Sequence, residues 1–309
     1  RLLGGHFEQH AGENLQARDA LLYAFASVNE KCWLGQSPES NQLVQQILER
    51  FAYCSLGCAD AMLISRACQV YASFARFEFT ADAHLVAAGN AIVNLLHHEH
   101  VVVRVDAAIA VGELLEHEAI VKLVRPGLGN MLRDFLRIMD ELDVEQLVKA
   151  LSKIVDAFGE ELAPYAVSLC RRLGEAYLRL LQAKGSHDDE DSEIGLTADG
   201  LMSAIRRVLR AISGKFPQMY PELEGILEQP IYASLSEQGL TAADEGLTCV
   251  SELIYNQTEV SPRMWGFFSH IVQAYLEDRG IIDDVSQASV PLINFMEKAP
   301  AVFKASHNG

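Results

Sequence analysis

The amino-acid sequence predicts an all-α protein, built as a solenoid of stacked helix pairs. Two observations lead to this prediction. Apolar residues recur at helical spacing along almost the whole chain, while the alternation typical of strands is nearly absent. Short polar breaks separate the helical stretches, and the helix pairs recur at intervals of about 40 to 55 residues, near the period of known helical repeats.

Four stretches show the helical spacing most clearly. Each places apolar residues three or four positions apart, which puts them on one face of a helix. The stretches lie at 43–51, 144–158, 165–180 and 268–275. Helix-ending and helix-starting residues stand between them, as at Ser261-Pro262, where serine can cap a helix and proline can occupy its first turn.

The order of these elements predicts a repeat. Helix pairs should begin near residues 14, 60, 101, 142, 197 and 240, with a further helix near 282. Two helices per unit, at a period of about 40–47 residues, are typical of HEAT and armadillo arrays. We therefore predict one continuous HEAT-repeat α–α superhelix (solenoid) over residues 1–309, with an acidic inter-helix loop near 184–196. The first residue is Arg1 rather than methionine, so we expect a fragment of a longer chain.

The sharpest local pattern is VRVDAAIAVGELL at 103–115, which resembles the first helix of a HEAT repeat. Its small residues would let a neighbouring helix approach closely, and its larger apolar residues would fill the core between repeats. We predict burial of Ala107, Ala108, Ala110, Val111 and Leu114. The position six residues before Arg104, which is acidic in many such repeats, is His98 here. An ordinary helical bundle with an alanine-rich helix is the alternative.

Composition and charge exclude several classes of protein. The sequence has no run of about 18 or more uncharged apolar residues, so we predict no membrane insertion. The net charge of −17 opposes direct binding to nucleic acid, because such binding requires neutralisation of phosphates. A basic protein or peptide is the better electrostatic partner. The alternative is that the charge only keeps a large helical protein in solution.

The search for catalytic and metal-binding motifs is negative. The sequence has no glycine-rich phosphate loop, nucleophile elbow or HExxH pattern. The six cysteines form no CxxC pair, and we expect reduced, mostly buried thiols. His97, His98 and His100 lack partners at zinc-ligand spacing, so a solvated turn is expected there. We predict no enzyme, no cofactor and no metal site.

Four segments carry a resemblance to a known family. They read SRACQVY at 65–71, VVVRVDAAIA at 101–110, EELAPYAV at 160–167 and EVSPRMW at 259–265. Their motifs, order and spacing resemble the central to C-terminal HEAT repeats of an importin-β-type karyopherin. Within that superfamily the chain is most similar to the importin-seven/eight branch, with Arg104 and Asp106 where that branch has lysine and glutamate.

This resemblance implies a nuclear transport receptor. Such receptors carry basic protein cargo (ribosomal-protein- or histone-like), release it when Ran-GTP binds, and contact nucleoporins. They are found in the cytoplasm and the nucleus, including the nuclear pore. The main Ran-binding region of the family lies in N-terminal repeats that this sequence is expected to lack. The alternative is a HEAT scaffold that assembles another complex, such as a phosphatase scaffold with compact and near-uniform repeats.

Two features are candidate partner-binding sites. Five carboxylates stand within six residues of one predicted loop, where they would attract a lysine-rich segment: Asp188, Asp189, Glu190, Asp191 and Glu193. Each exposed charge pair would contribute only about 0–1 kcal/mol, and a solvated loop without a partner is the alternative. Trp265 begins the second helix of its pair; exposed, it could hold a lysine stem, whereas buried it would belong to the core.

Overall fold

The computed structural model describes residues 14–32, 38–80, 82–142, 145–183, 191–236, 239, 242–276 and 285–305. Almost all of these residues are helical, and none of them forms a β-strand. The all-α prediction is therefore confirmed. No helix in the described ranges is long and apolar enough to cross a bilayer. The chain forms two compact units, Arg1–Leu142 and Asp143–Gly309.

The first unit contains three helix pairs in its described part. The helices are α1 (Leu15–Cys32), α2 (Pro38–Ile47), α3 (Tyr53–Leu56), α4 (Ala61–Ser73), α5 (Asp82–Asn94), α6 (Val101–Leu114), α7 (Glu118–Val124) and α8 (Leu128–Glu141). A π-helical turn joins α2 to α3, and a 3-10 turn joins α7 to α8. The first helices α1, α4 and α6 pack in sequence in one layer, and α5 packs on α7 in a second layer.

The second unit repeats this arrangement. Its described helices are α9 (Glu145–Phe158), α10 (Ala166–Ala183), α11 (Asp191–Ala211), α12 (Tyr220–Ser234), α13 (Ala243–Tyr255), α14 (Pro262–Leu276), α15 (Val285–Lys298) and α16 (Pro300–Ala305). The first helices α9, α11, α13 and α15 pack in one layer, and α10, α12 and α14 pack in another. Such two-layered stacking of helix pairs is that of a HEAT-repeat solenoid.

The first helices begin close to the predicted positions. They start at Leu15, Ala61, Val101, Glu145, Asp191, Ala243 and Val285, against predictions of 14, 60, 101, 142, 197, 240 and 282. The largest difference is at α11, which begins at Asp191, inside the segment expected to be a loop up to 196. Acidic residues favour the first turn of a helix because the helix dipole is positive there, and this accounts for the earlier start.

The alanine-rich helix packs as predicted. On α6, Ala107, Ala108, Ala110, Val111 and Leu114 are all buried, which confirms the predicted register. The three alanines among them have side chains small enough to allow a close approach of neighbouring helices. Glycine serves the same purpose on α13, where a side chain at Gly246 would collide with the Ser234 hydroxyl of α12.

Candidate partner-binding surfaces

Polar side chains connect the first helices of the first unit. Arg66 on α4 donates from Nε to Asp19 Oδ1 on α1 over 2.8 Å. Gln69, also on α4, donates from Nε2 to Asp106 Oδ2 on α6 over 3.1 Å, and Ser65 Oγ donates to the same oxygen. Burial raises the pKa of Asp106, although the two hydrogen bonds and the charge of Arg66 act to lower it. These contacts form a ladder that fixes α1, α4 and α6 side by side.

Arg104, the arginine of the HEAT-like pattern, does not belong to this ladder. Its Nη1 donates to the backbone carbonyls of His98 and Glu99, each over 3.0 Å. Its Nη2 pairs with Glu141 at the end of α8. His98, six residues before Arg104, therefore accepts a hydrogen bond from Arg104 through its backbone carbonyl. Its side chain has no carboxylate that could accept this bond.

A second ladder joins the first helices of the second unit. Arg206 on α11 pairs with Glu245 on α13 through two N–H groups, with Nη2 3.1 Å from Oε1. The two side chains are only 19% and 18% exposed. Two further pairs lie beside them, Arg207 with Asp156 of α9 and Arg210 with Glu252 of α13. These carboxylates are paired with arginines of the chain itself, so other acidic residues are better placed to bind a partner with basic groups.

The predicted acidic site lies mostly beyond the described residues. Asp188, Asp189 and Glu190 fall outside them, in the segment between α10 and α11. The backbone of Asp191 and Glu193 forms the first turn of α11, while their side chains are outside the described part. Partner binding by this acidic run therefore stays a prediction.

Trp265 lies in a cluster of four aromatic rings. Its ring centroid is 5.6 Å from that of Phe268 on the same helix and 5.7 Å from that of Phe295 on α15. The ring of Phe303 on α16 is 5.9 Å away. Trp265 is half-buried, and these ring contacts account for it as a packing residue between α14, α15 and α16. A role in holding a lysine stem stays a prediction.

The segment around Trp265, which carries part of the family resemblance, forms a helix cap. Ser261 Oγ accepts the backbone N–H of Met264 over 3.1 Å and donates to Glu224 Oε2 over 2.7 Å. Gln257 donates to the other carboxylate oxygen of Glu224, and Glu224 is only 2% exposed. The pattern Val-Ser-Pro therefore has a structural role here, because it starts α14 and satisfies a buried carboxylate of α12.

A small pocket lies between the second helices of the first unit. Its volume is about 160 Å³, and its polar lining includes Asn90 and Asn94 of α5 together with Asn130 and Asp134 of α8. Each helix contributes two side chains four positions apart, which lie one above the other on the same face. These four residues form no recognisable motif in the sequence; the only sign of them there is the spacing of four between polar residues on each helix.

The groups in this pocket differ in how they are held. Asp134 is 8% exposed, with Oδ2 3.3 Å from Nε2 of His97 and Oδ1 3.2 Å from Nη2 of Arg137. The three asparagine side chains are exposed and make no hydrogen bond within the described part of the chain. The pocket thus combines a fixed carboxylate with free amides. The described residues contain no group of three or more His, Cys, Asp or Glu suited to a metal ion.

Comparison with known proteins finds importins among the relatives of this chain. No protein-family model matches the chain. It is 28% identical over 260 residues to a probable importin-7 homolog of Dictyostelium discoideum, an alignment that covers 84% of this chain and 24% of the relative. It is 27% identical over 263 residues to an importin beta-like SAD2 homolog of Arabidopsis thaliana, an alignment that covers 85% of this chain and 25% of the relative. An importin-8 of Mus musculus is 24% identical over 265 residues, covering 84% and 25%.

The chain thus spans about a quarter of the length of these relatives. Among solved structures, importin beta superposes with a TM-score of 0.56 at 15% identity, covering 90% of this chain and 34% of that one. An engineered protein superposes with a TM-score of 0.51 at 13% identity, covering 83% and 98%. These two likenesses concern the fold alone. By sequence, and with a matching fold, the chain is similar to importin-β-type karyopherins and, within them, to the importin-seven/eight branch.

Proposed function

We propose that this chain is a segment of a nuclear transport receptor and contributes surface for basic protein cargo. The observation that carries the proposal is the sequence similarity to importins, which extends over 84% of the chain. The stacked helix pairs support it, because such arrays present long surfaces to protein partners. We also propose that residues 1–309 act as one continuous HEAT-repeat segment.

The charge balance supports a basic cargo. The sequence holds 42 acidic against 25 basic residues, which leaves a net charge of −17. The ladders already engage several of the arginines, including Arg66 and Arg206. A histone- or ribosomal-protein-like partner would supply the missing cations. Since each exposed pair contributes about 0–1 kcal/mol, affinity would come from many contacts together.

Three further features belong to the proposed receptor as a whole. They are release of cargo by Ran-GTP, contact with nucleoporins, and residence in the cytoplasm and the nucleus, including the nuclear pore. Because the chain matches about a quarter of its relatives' length, these activities are proposed for the full-length protein.

A pull-down with the full-length protein tests the proposal. Immobilised protein should retain a core histone and should release it when Ran loaded with a non-hydrolysable GTP analogue is added, whereas Ran loaded with GDP should leave it bound. An acidic protein of similar size is the control and should not be retained. Histone retention that ignores the nucleotide state of Ran would count against the receptor. Retention of a phosphatase catalytic subunit in its place would favour the scaffold alternative.

A further inference from the structure

We propose that the pocket between α5 and α8 binds a lysine side chain of a partner polypeptide. The inference rests on the proposed function, since it gives basic cargo a specific contact in the first unit. The polar part of its lining is Asn90 and Asn94 of α5, Asn130 and Asp134 of α8, and His97 in the turn after α5; apolar side chains complete the wall. None of its residues belongs to the acidic run at 188–193.

The size of the pocket fits one side chain. Its volume of about 160 Å³ is below the range of about 300–1,000 Å³ in which small-molecule sites fall. A single long side chain that enters from a polypeptide on the surface needs less room. The occupant is therefore part of a larger partner, whose main chain stays outside the pocket.

The chemistry of the lining favours a cation that donates hydrogen bonds. The three amides offer both acceptors and donors, and the Asp134 carboxylate adds acceptors and a negative charge. A carboxylate ligand could bind the amide N–H groups but would face the charge of Asp134 at short range. The amides of Asn90, Asn94 and Asn130 have no partner in the described protein, so a ligand would not need to break existing contacts. A lysine ammonium offers three donors and suits such a set of separate acceptors.

The state of Asp134 distinguishes lysine from arginine. Arginine recognises a carboxylate best when both oxygens are open to its planar, two-pronged donor face. Here Oδ1 faces Arg137 and Oδ2 faces His97, at 3.2 and 3.3 Å. No free two-oxygen face remains, and a compact ammonium, placed among the amide oxygens, fits better than a guanidinium.

Fluorescence anisotropy with short labelled peptides tests this assignment. The probes are a peptide of alternating serine and lysine, the same peptide with trimethylated lysines, and its arginine counterpart. The variant N94L/N130L removes two acceptors without changing the charge. We expect it to bind the lysine peptide about tenfold more weakly than the parent chain, because two hydrogen bonds to the ammonium group are lost. Both proteins should bind the trimethylated peptide equally, since that probe keeps its charge but has no N–H.

The control is Gln42→Leu, which removes an exposed amide of α2 outside the pocket and should leave all affinities unchanged. Circular dichroism spectra must match between the variants; if N94L/N130L does not fold, Asn90→Ala provides the same comparison with a smaller loss. If variant and parent bound the lysine peptide with equal affinity, the proposal that the pocket binds lysine would be wrong, while the proposed receptor function would be unaffected. A parent chain that binds no lysine peptide at low salt would overturn both.

Discussion

At the scale of single residues, Ala108 tests how tightly α6 is packed. Its side chain is fully buried on α6, the helix that packs on α4. Ala108→Asp would place an unpaired charge at this buried position, and we expect the free energy of unfolding to fall by more than about 3 kcal/mol. Urea denaturation followed by circular dichroism measures the change.

Val102→Asp is the matched control for that substitution. Val102 lies in the first turn of the same helix and is 48% exposed, and a carboxylate there would meet the positive end of the helix dipole. The control should change stability by no more than about 0.5 kcal/mol. If Ala108→Asp proved as mild as Val102→Asp, the assigned register of α6 would be wrong.

Asp106 gives the first unit a defined pH dependence. Burial raises the pKa of its carboxyl above the ordinary value of 3.8. The folded chain therefore keeps this proton to a higher pH than the unfolded chain does. The stability that Asp106 contributes is fully present below 3.8 and is lost as the pH rises through the raised pKa.

Asp106→Asn removes this titration. The unfolding free energy of the variant, relative to that of the parent, should increase as the pH rises from about 4 to about 7. Urea denaturation at several pH values measures the difference. Parallel curves for the two proteins across this window would show that the carboxyl of Asp106 titrates normally in the folded state.

At the scale of elements, the ladders hold neighbouring first helices in register. The pair Arg206–Glu245 joins α11 to α13 and is mostly sheltered from water, so removing one partner leaves the other charge without compensation. We expect Arg206→Gln to lower the free energy of unfolding by about 1–2 kcal/mol, below the cost for a fully buried pair.

The exposed pair Lys215–Glu160 provides the comparison. Its side chains are 55% and 57% exposed, and Lys215→Gln should change stability by less than about 1 kcal/mol. A double-mutant cycle on Arg206 and Glu245, followed by thermal or urea denaturation, gives their coupling energy directly. A coupling energy near zero would mean that the paired arginine does not help to align the two helices.

At the scale of the whole molecule, we expect the acidic surplus to govern binding to a basic partner and the salt dependence of that binding. Replacing Asp188, Asp189, Glu190, Asp191 and Glu193 together by Asn, Gln or Ser should weaken binding to a histone-like partner. The loss should shrink as salt rises, because at about 0.15 M exposed charges act only over about 8 Å. Titration calorimetry at two salt concentrations measures it.

The same variant should remain folded. Asp191 and Glu193 lie in the first turn of α11. A carboxylate in such a position typically stabilises a helix by about 0.3–1 kcal/mol. Replacing only Asp188, Asp189 and Glu190 is the control that leaves this turn unchanged. If parent and five-residue variant bound the partner equally at low salt, the run would be a solvated linker, and the cargo surface would lie on the helices.

Much of the fold could be predicted because its determinants are local. Helical periodicity, caps such as Ser261-Pro262 and the small residues of 103–115 depend on neighbours within a few turns, and they located the first helices and the buried face of α6. The four family-like segments needed only their order and spacing. The start of α11 was misjudged because an acidic run favours both a loop and a helix N-terminus.

The contacts between helices could not be obtained in this way. Arg66 donates to Asp19 on another helix. Asn90 and Asn94 share a pocket with Asn130, and the ring of Trp265 contacts that of Phe303. Each of these contacts joins helices that are separated along the chain. Periodicity gives the face of a helix that is buried, but it does not give the rotation and shift of that helix against its neighbour. Those are set by packing of side chains far apart along the chain, and they decide which polar groups pair inside the stack and which stay open to a partner.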